Sequence, residues 1–157
     1  MDNNDYLNRC SNQFSNLEKI KIDQSLITVS YEEKFKIQWL ATKLKIFSFI
    51  HYIDKIDIDT IENYSSICTK YASKKHRGLP RGFQNGVVSF NVLISETVTD
   101  AAIDFVRSRP KKHFSLFETP IIYDISRSKL YYYEGTPIWG SMYNNYLRSY
   151  IEDHFNL

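Results

Sequence analysis

Apolar positions along this chain switch between a spacing of two and a spacing of three to four, and each switch marks an element. The stretch "SLITVSYEEKFKIQWLATKLKIFSFIHYI" is dominated by β-branched and aromatic residues, with a polar break at Glu32 and Glu33. It predicts strands near 26–31, 35–41 and 44–53. The last is almost continuously apolar, as a central strand covered on both faces should be. The period then lengthens: Ile58, Ile61, Tyr64, Cys68, Tyr71 and Ala72 follow helical spacing, with Asp57 or Asp59 as cap and Glu62 in the first turn. "VVSFNVLI", 87–94, reads as a second core strand, and "TVTDAAIDFVRSR" as a helix capped by Thr97 or Thr99 and ended by Pro110. "PIIYDI" and "KLYYYE", separated by "SRS", predict an antiparallel hairpin, followed by an amphipathic helix from about Ser141 to Phe155. The first 25 residues are polar and predict one short helix, about Tyr6 to Leu17, frayed and peripheral to the rest.

The order strand, helix, strand, helix, strand from residue 44 to 125 is that of two successive crossover units, which makes the three strands parallel neighbours. The expected class is α/β, with α+β as the variant: a mixed, partly parallel sheet with flanking helices and a C-terminal hairpin followed by a helix. Helix-to-strand connections in such a sheet lie together at the amino-terminal edge of the strands.

Length and composition support one domain over 1–157: 157 residues, 43% hydrophobic and 24% charged, are those of an ordinary globular chain. No stretch reaches the roughly 18 apolar residues of a membrane span, and the start "MDNNDYLNRC" lacks the basic and apolar regions of a secretory signal. A cytoplasmic location without a membrane partner is the expectation. Cys10 and Cys68 stand in segments of different character and are read as free thiols.

Charge changes the picture more than composition does. Residues 1–69 carry 8 Lys and Arg against 10 Asp and Glu, residues 70–113 carry 9 against 3, and residues 114–157 carry 3 against 5. The basic middle is gathered in two knots, "KKHRGLPR" with Lys74, Lys75, Arg77 and Arg81, and "RSRPKKH" with Arg107, Arg109, Lys111 and Lys112. Both knots are helix-to-strand connections, so both belong to one rim. Cations at helix ends complement the macrodipole, which accounts for Lys74, Lys75, Arg107 and Arg109 singly. Arg81, Lys111 and Lys112 lie beyond the helices and point instead to an anionic partner, nucleic acid or protein.

Three glycines in and after the first knot, Gly78, Gly82 and Gly86, have helix before and strand after, the reverse of a dinucleotide or phosphate loop. Gly78 reads as a helix stop, Gly86 with Asn85 as a turn into the strand, and Gly82 as a point of close backbone approach. Of the four histidines, none is paired at i+3 or i+4, so neither a zinc site nor any other cofactor is expected. His51 falls in the apolar strand as a sheet-face residue. His76 and His113 share the basic rim and form the sharpest catalytic candidate, one as base and one as acid at a phosphodiester. Asp124 and Lys129 straddle the hairpin turn without completing a metal-nuclease pattern, and Cys68 lies on the apolar face of its helix.

Aromatic residues make 15% of the chain, with Tyr131, Tyr132, Tyr133, Trp139, Tyr143 and Tyr146 inside sixteen positions. Strand alternation sends Tyr131 and Tyr133 opposite to Tyr132. Tyr131, Tyr133, Trp139 and Tyr143 are therefore candidates for a partner or self-association surface. With no catalytic fingerprint, the expected role is a small binding module with a basic rim for an anionic partner rather than an enzyme; the alternatives are a phosphodiester-cleaving or phosphoryl-transfer enzyme and an oligomerising or scaffold subunit.

Overall fold

The computed structural model describes residues 3–36, 39, 43–75, 85–113, 116–135 and 143–157. Its elements follow in the order α1 (Asn3–Asn12), β1 (Leu17–Ile22), β2 (Ser25–Phe35), β3 (Lys43–Tyr52), α2 (Ile58–Lys75), β4 (Asn85–Ser95), α3 (Asp100–Arg107), β5 (Lys112–His113), β6 (Leu116–Asp124), β7 (Lys129–Tyr131) and α4 (Asn144–Phe155). One mixed sheet carries the strands in the order β1-β2-β3-β4-β6-β5, with β7 also on β6. β3, β4 and β6 are parallel neighbours, and β1, β2 and β3 form an antiparallel meander. This is the α/β architecture that the two crossover units imply.

The continuous apolar runs follow from cover on both faces. On one face Ile46, Val88, Phe90, Val92 and Ile121 pack with Tyr6 and Cys10 of α1 and Leu147, Tyr150 and Phe155 of α4. On the other, Phe47, Phe49, Val87, Leu93 and Ile122 pack with Ile61, Tyr64 and Cys68 of α2 and Ile103 and Val106 of α3. Caps sit where the spacing placed them: Asp57 Oδ1 accepts from the Thr60 backbone N–H at 3.0 Å, and Thr99 Oγ1 from that of Ala102 at 3.2 Å. α3 already stops at Arg107, where the backbone N–H of Ser108 bonds back to Asp104 and Phe105.

The amino-terminal segment departs from expectation. Its helix spans Asn3–Asn12, and residues 17–22 form edge strand β1, joined to β2 by a two-residue turn with Asp23 left-handed at φ 54°. Nor is it peripheral: Tyr6 is fully buried, stacks on Tyr123 at 3.7 Å, and donates its hydroxyl to the Phe155 carbonyl at 2.7 Å. The charges of "LEKIKI" hid the strand, since an edge strand exposes Glu18, Lys19 and Lys21 without cost.

β2 also runs unbroken through Glu32 and Glu33, where a break was expected. Each acid has a partner: Glu32 accepts from the Tyr150 hydroxyl at 2.9 Å, and Glu33 from Lys43 across the strand pair at 2.9 Å. The separate strand expected at 35–41 is not formed at Phe35, which ends β2, and its remainder lies largely outside the described residues. Gly86 is not a turn but a strand residue paired with Leu44; a Cβ there would lie 2.9 Å from Leu44 Cδ2, so glycine makes room for that core side chain.

Candidate functional site

Among the described residues, β6 has an incomplete outer edge. β5 pairs with its start, Leu116 and Phe117, while β7 pairs with its end, Ile122 to Asp124. Between them Glu118 to Ile121 carry no ladder partner from either strand, and Pro120 could not offer a backbone N–H. Two chain segments arrive along this edge from opposite ends and diverge. A cleft opens where they part.

Apolar side chains, among them Leu116, Phe117 and Leu147, form its floor; Arg109, Lys111, His113 and Arg148 stand around it with Tyr132 and Tyr133. Its volume is about 70 Å³, well below the 300–1,000 Å³ of whole-ligand pockets. It has the size of a single small group rather than of a nucleotide.

His113 Nε2 lies 2.5 Å from Glu118 Oε2, and the Glu118 side chain is only 9% exposed against 38% for His113. The carboxylate therefore anchors the ring from below. On the other wall the Tyr132 hydroxyl donates to Glu152 and Arg148 donates to the Glu134 carbonyl. Burial and Glu152 push the Tyr132 hydroxyl well above its usual range, so it stays a donor at neutral pH. Lys111 reaches Glu62 of α2 at 3.1 Å, in a pair exposed on both sides. Such a pair is worth roughly 0–1 kcal/mol, so it leaves the ammonium free to change partner.

The basic knots are only partly brought together. Lys74 and Lys75 end α2, whereas Lys111 pairs with the second turn of that helix; twelve residues of helical rise separate the two, about 18 Å. Lys75 caps the Tyr71 ring at 5.6 Å and Arg107 the Tyr131 ring at 5.0 Å. Lys112 is placed by its backbone in β5. Arg77, Arg81 and His76 lie outside the described residues, with Gly78 and Gly82, so the His76–His113 pairing is not one the described residues address.

The aromatic segment divides as well. Tyr131 and Tyr132 do point to opposite faces, yet both are buried, because the chain there runs between the two cores. Tyr133 is half-buried beside the cleft, and Tyr143 packs edge-on against Trp39 at 5.2 Å and Phe117 at 5.8 Å. Trp139 lies outside the described residues.

Asp124 is fully buried and accepts from Ser126 Oγ and from the backbone and guanidinium of Arg127, which also reaches Asp100 at 3.1 Å. It braces the hairpin against α3. Cys68 is buried, and burial pushes its thiol far above the usual range. Burial likewise pushes Cys10 up to about 12, so neither is a nucleophile. Among the described residues no three His, Cys, Asp or Glu side chains gather closely enough to hold a metal ion. None of the described helices is long and apolar enough to cross a membrane.

Sequence reasoning missed Glu118, Arg148 and Asn144, which complete the cleft. Glu118 had a readable signal: it alternates with Leu116, Pro120 and Ile122, so a carboxylate occupies a core-facing row. Arg148 had none, since only tertiary packing carries α4 to the β6 edge. In comparisons with known proteins, no family model, no curated protein and no solved structure matches this chain.

Proposed function

We propose that this chain is a binding module for an anionic, phosphate-bearing partner, seated at the β6 cleft and along the basic connection between α3 and β6. The observation that carries this reading is the grouping of Arg109, Lys111 and Arg148, from a connection and a helix distant in sequence, around one cleft of single-phosphate size. Arg109 and Arg148 are exposed, as a charge meant for a partner must be. A longer partner would leave the cleft and pass over the outer cations of the same connection. Nucleic acid fits this chemistry best, because repeated phosphates engage several cations at once.

Binding of a labelled single-stranded oligonucleotide tests it. At ~0.7 per phosphate, one phosphate in the cleft and two on the outer cations give a slope of about −2 in log affinity against log salt. Arg109→Ala and Lys111→Ala should each weaken binding. An affinity indifferent to ionic strength, or unchanged in both variants, contradicts the proposal.

A second reading rests on the His113–Glu118 pair. A carboxylate-anchored imidazole beside a phosphate site is suited to proton transfer at a phosphodiester, with Glu118 rather than another histidine as the partner. It requires that oligonucleotides are cleaved and that His113→Ala stops cleavage while binding persists; an uncut oligonucleotide excludes it.

A further inference from the structure

A second groove lies on the opposite flank of α4, between that helix and the end of β2, with a volume of about 580 Å³. The Trp39 backbone N–H bonds to the Lys36 carbonyl at 3.1 Å, which sets the lysine beside the indole. The Lys36 ammonium stands 5.2 Å from the Trp39 ring centre and 4.6 Å from that of Tyr146. The two rings meet at 67°, so they form the two walls of a corner rather than a stack. Glu32 and Asp153 line the same groove. Glu32 is held in place by the Tyr150 hydroxyl at 2.9 Å.

We propose that this corner is a binding site for a methylated or quaternary alkylammonium group, with Lys36 as its built-in competitor. Aromatic faces attract cations through the ring quadrupole, and most strongly those that shed water easily. A primary ammonium is strongly hydrated; a methylated one is not and gains more from the same two walls. With Lys36 withdrawn, two carboxylates face one remaining lysine, Lys34, so the lining favours a cation. The volume exceeds what one ammonium fills and lies in the range of small-ligand sites. Lys36 itself is exposed and can swing out at little cost. This site does not depend on the anion cleft across α4.

The test is titration with tetramethylammonium chloride against sodium chloride at equal ionic strength, followed by Trp39 fluorescence in a Trp139→Phe background. Lys36→Ala should give a saturable response and bind about tenfold more tightly than the chain that keeps its lysine. Trp39 is only 3% exposed, and its removal would endanger folding; Tyr146→Leu removes the other wall on a half-exposed helix position. Added to Lys36→Ala, it should abolish the response with the circular dichroism unchanged. Choline and a trimethyllysine peptide, titrated alongside, separate a free small molecule from a modified chain as the source of the group. A Lys36→Ala protein that responds no more to tetramethylammonium than to sodium, or that binds equally well without Tyr146, overturns the proposal.

Discussion

The two flanks of α4 carry different chemistry. Asn144, Leu147, Arg148 and Ile151 face the cleft beside β6, which is small, apolar-floored and ringed by cations. Asn145, Tyr146, Ser149, Tyr150 and Asp153 face the groove beside β2, which is wide, aromatic and carries two carboxylates with two lysines. Each set repeats with the helical period and the two are offset by about half a turn, so a single twelve-residue helix lends a wall to both. The difference shows that these sites depend on tertiary packing of α4 rather than on any contiguous motif. Disturbing the helix's seat should disturb both, whereas disturbing one flank should leave the other intact.

The largest expected effect comes from the shared seat. Phe90 is fully buried, and its ring stacks on Tyr150 at 5.0 Å and meets Phe155 edge-on at 5.9 Å. Phe90→Ala should cost ~3–5 kcal/mol in chemical denaturation, by lost burial and the cavity left behind, and both sites should weaken together. A loss confined to one flank would show that α4 does not join them.

A smaller effect separates the flanks. Tyr150→Phe removes the hydroxyl that donates to Glu32 and lies 3.5 Å from Ser48 Oγ. It should cost ~1–2 kcal/mol and alter cation binding by the Lys36→Ala protein, while oligonucleotide affinity holds. Arg148→Ala is the converse: stability should stay within ~0.5 kcal/mol, as for an exposed side chain, and only the anion flank should lose affinity. If Arg148→Ala weakens both, the flanks are coupled through the helix.

A probe that changes no side chain is alkaline pH. Burial pushes the Cys10 thiol and, together with Glu32, the Tyr146 hydroxyl up to about 12, above their ordinary values near 9 and 10. A proton held more tightly by the folded chain stabilises it fully below the unfolded value. As pH rises from about 9 toward 12, the unfolded chain releases these protons first, so stability should fall over that window. A denaturation midpoint that is level through it would contradict the burial of both groups.

Much of the architecture was legible in the sequence because burial imposes a period. The apolar run from Leu44 to Ile53 reads as a doubly covered strand, and the crossover order implied the parallel neighbours β3, β4 and β6. β1 was not legible, because an edge strand tolerates Lys19 and Lys21; nor was the continuity of β2, because Glu32 is stabilised by a tyrosine 118 positions away. The candidate site was half legible. Arg109, Lys111 and His113 stood out as a charge cluster, but a cluster does not reveal a cleft. That depended on where β5 and β7 leave β6 uncovered, and on a helix from the far end of the chain.

The most direct test of the central claim is the salt dependence of oligonucleotide binding in the native chain and in the Arg109→Ala/Arg148→Ala double variant. If these two cations together neutralise the one phosphate at the cleft, the slope of log affinity against log salt should become shallower by about 0.7. Identical slopes in the two proteins would place anion binding somewhere other than the cleft.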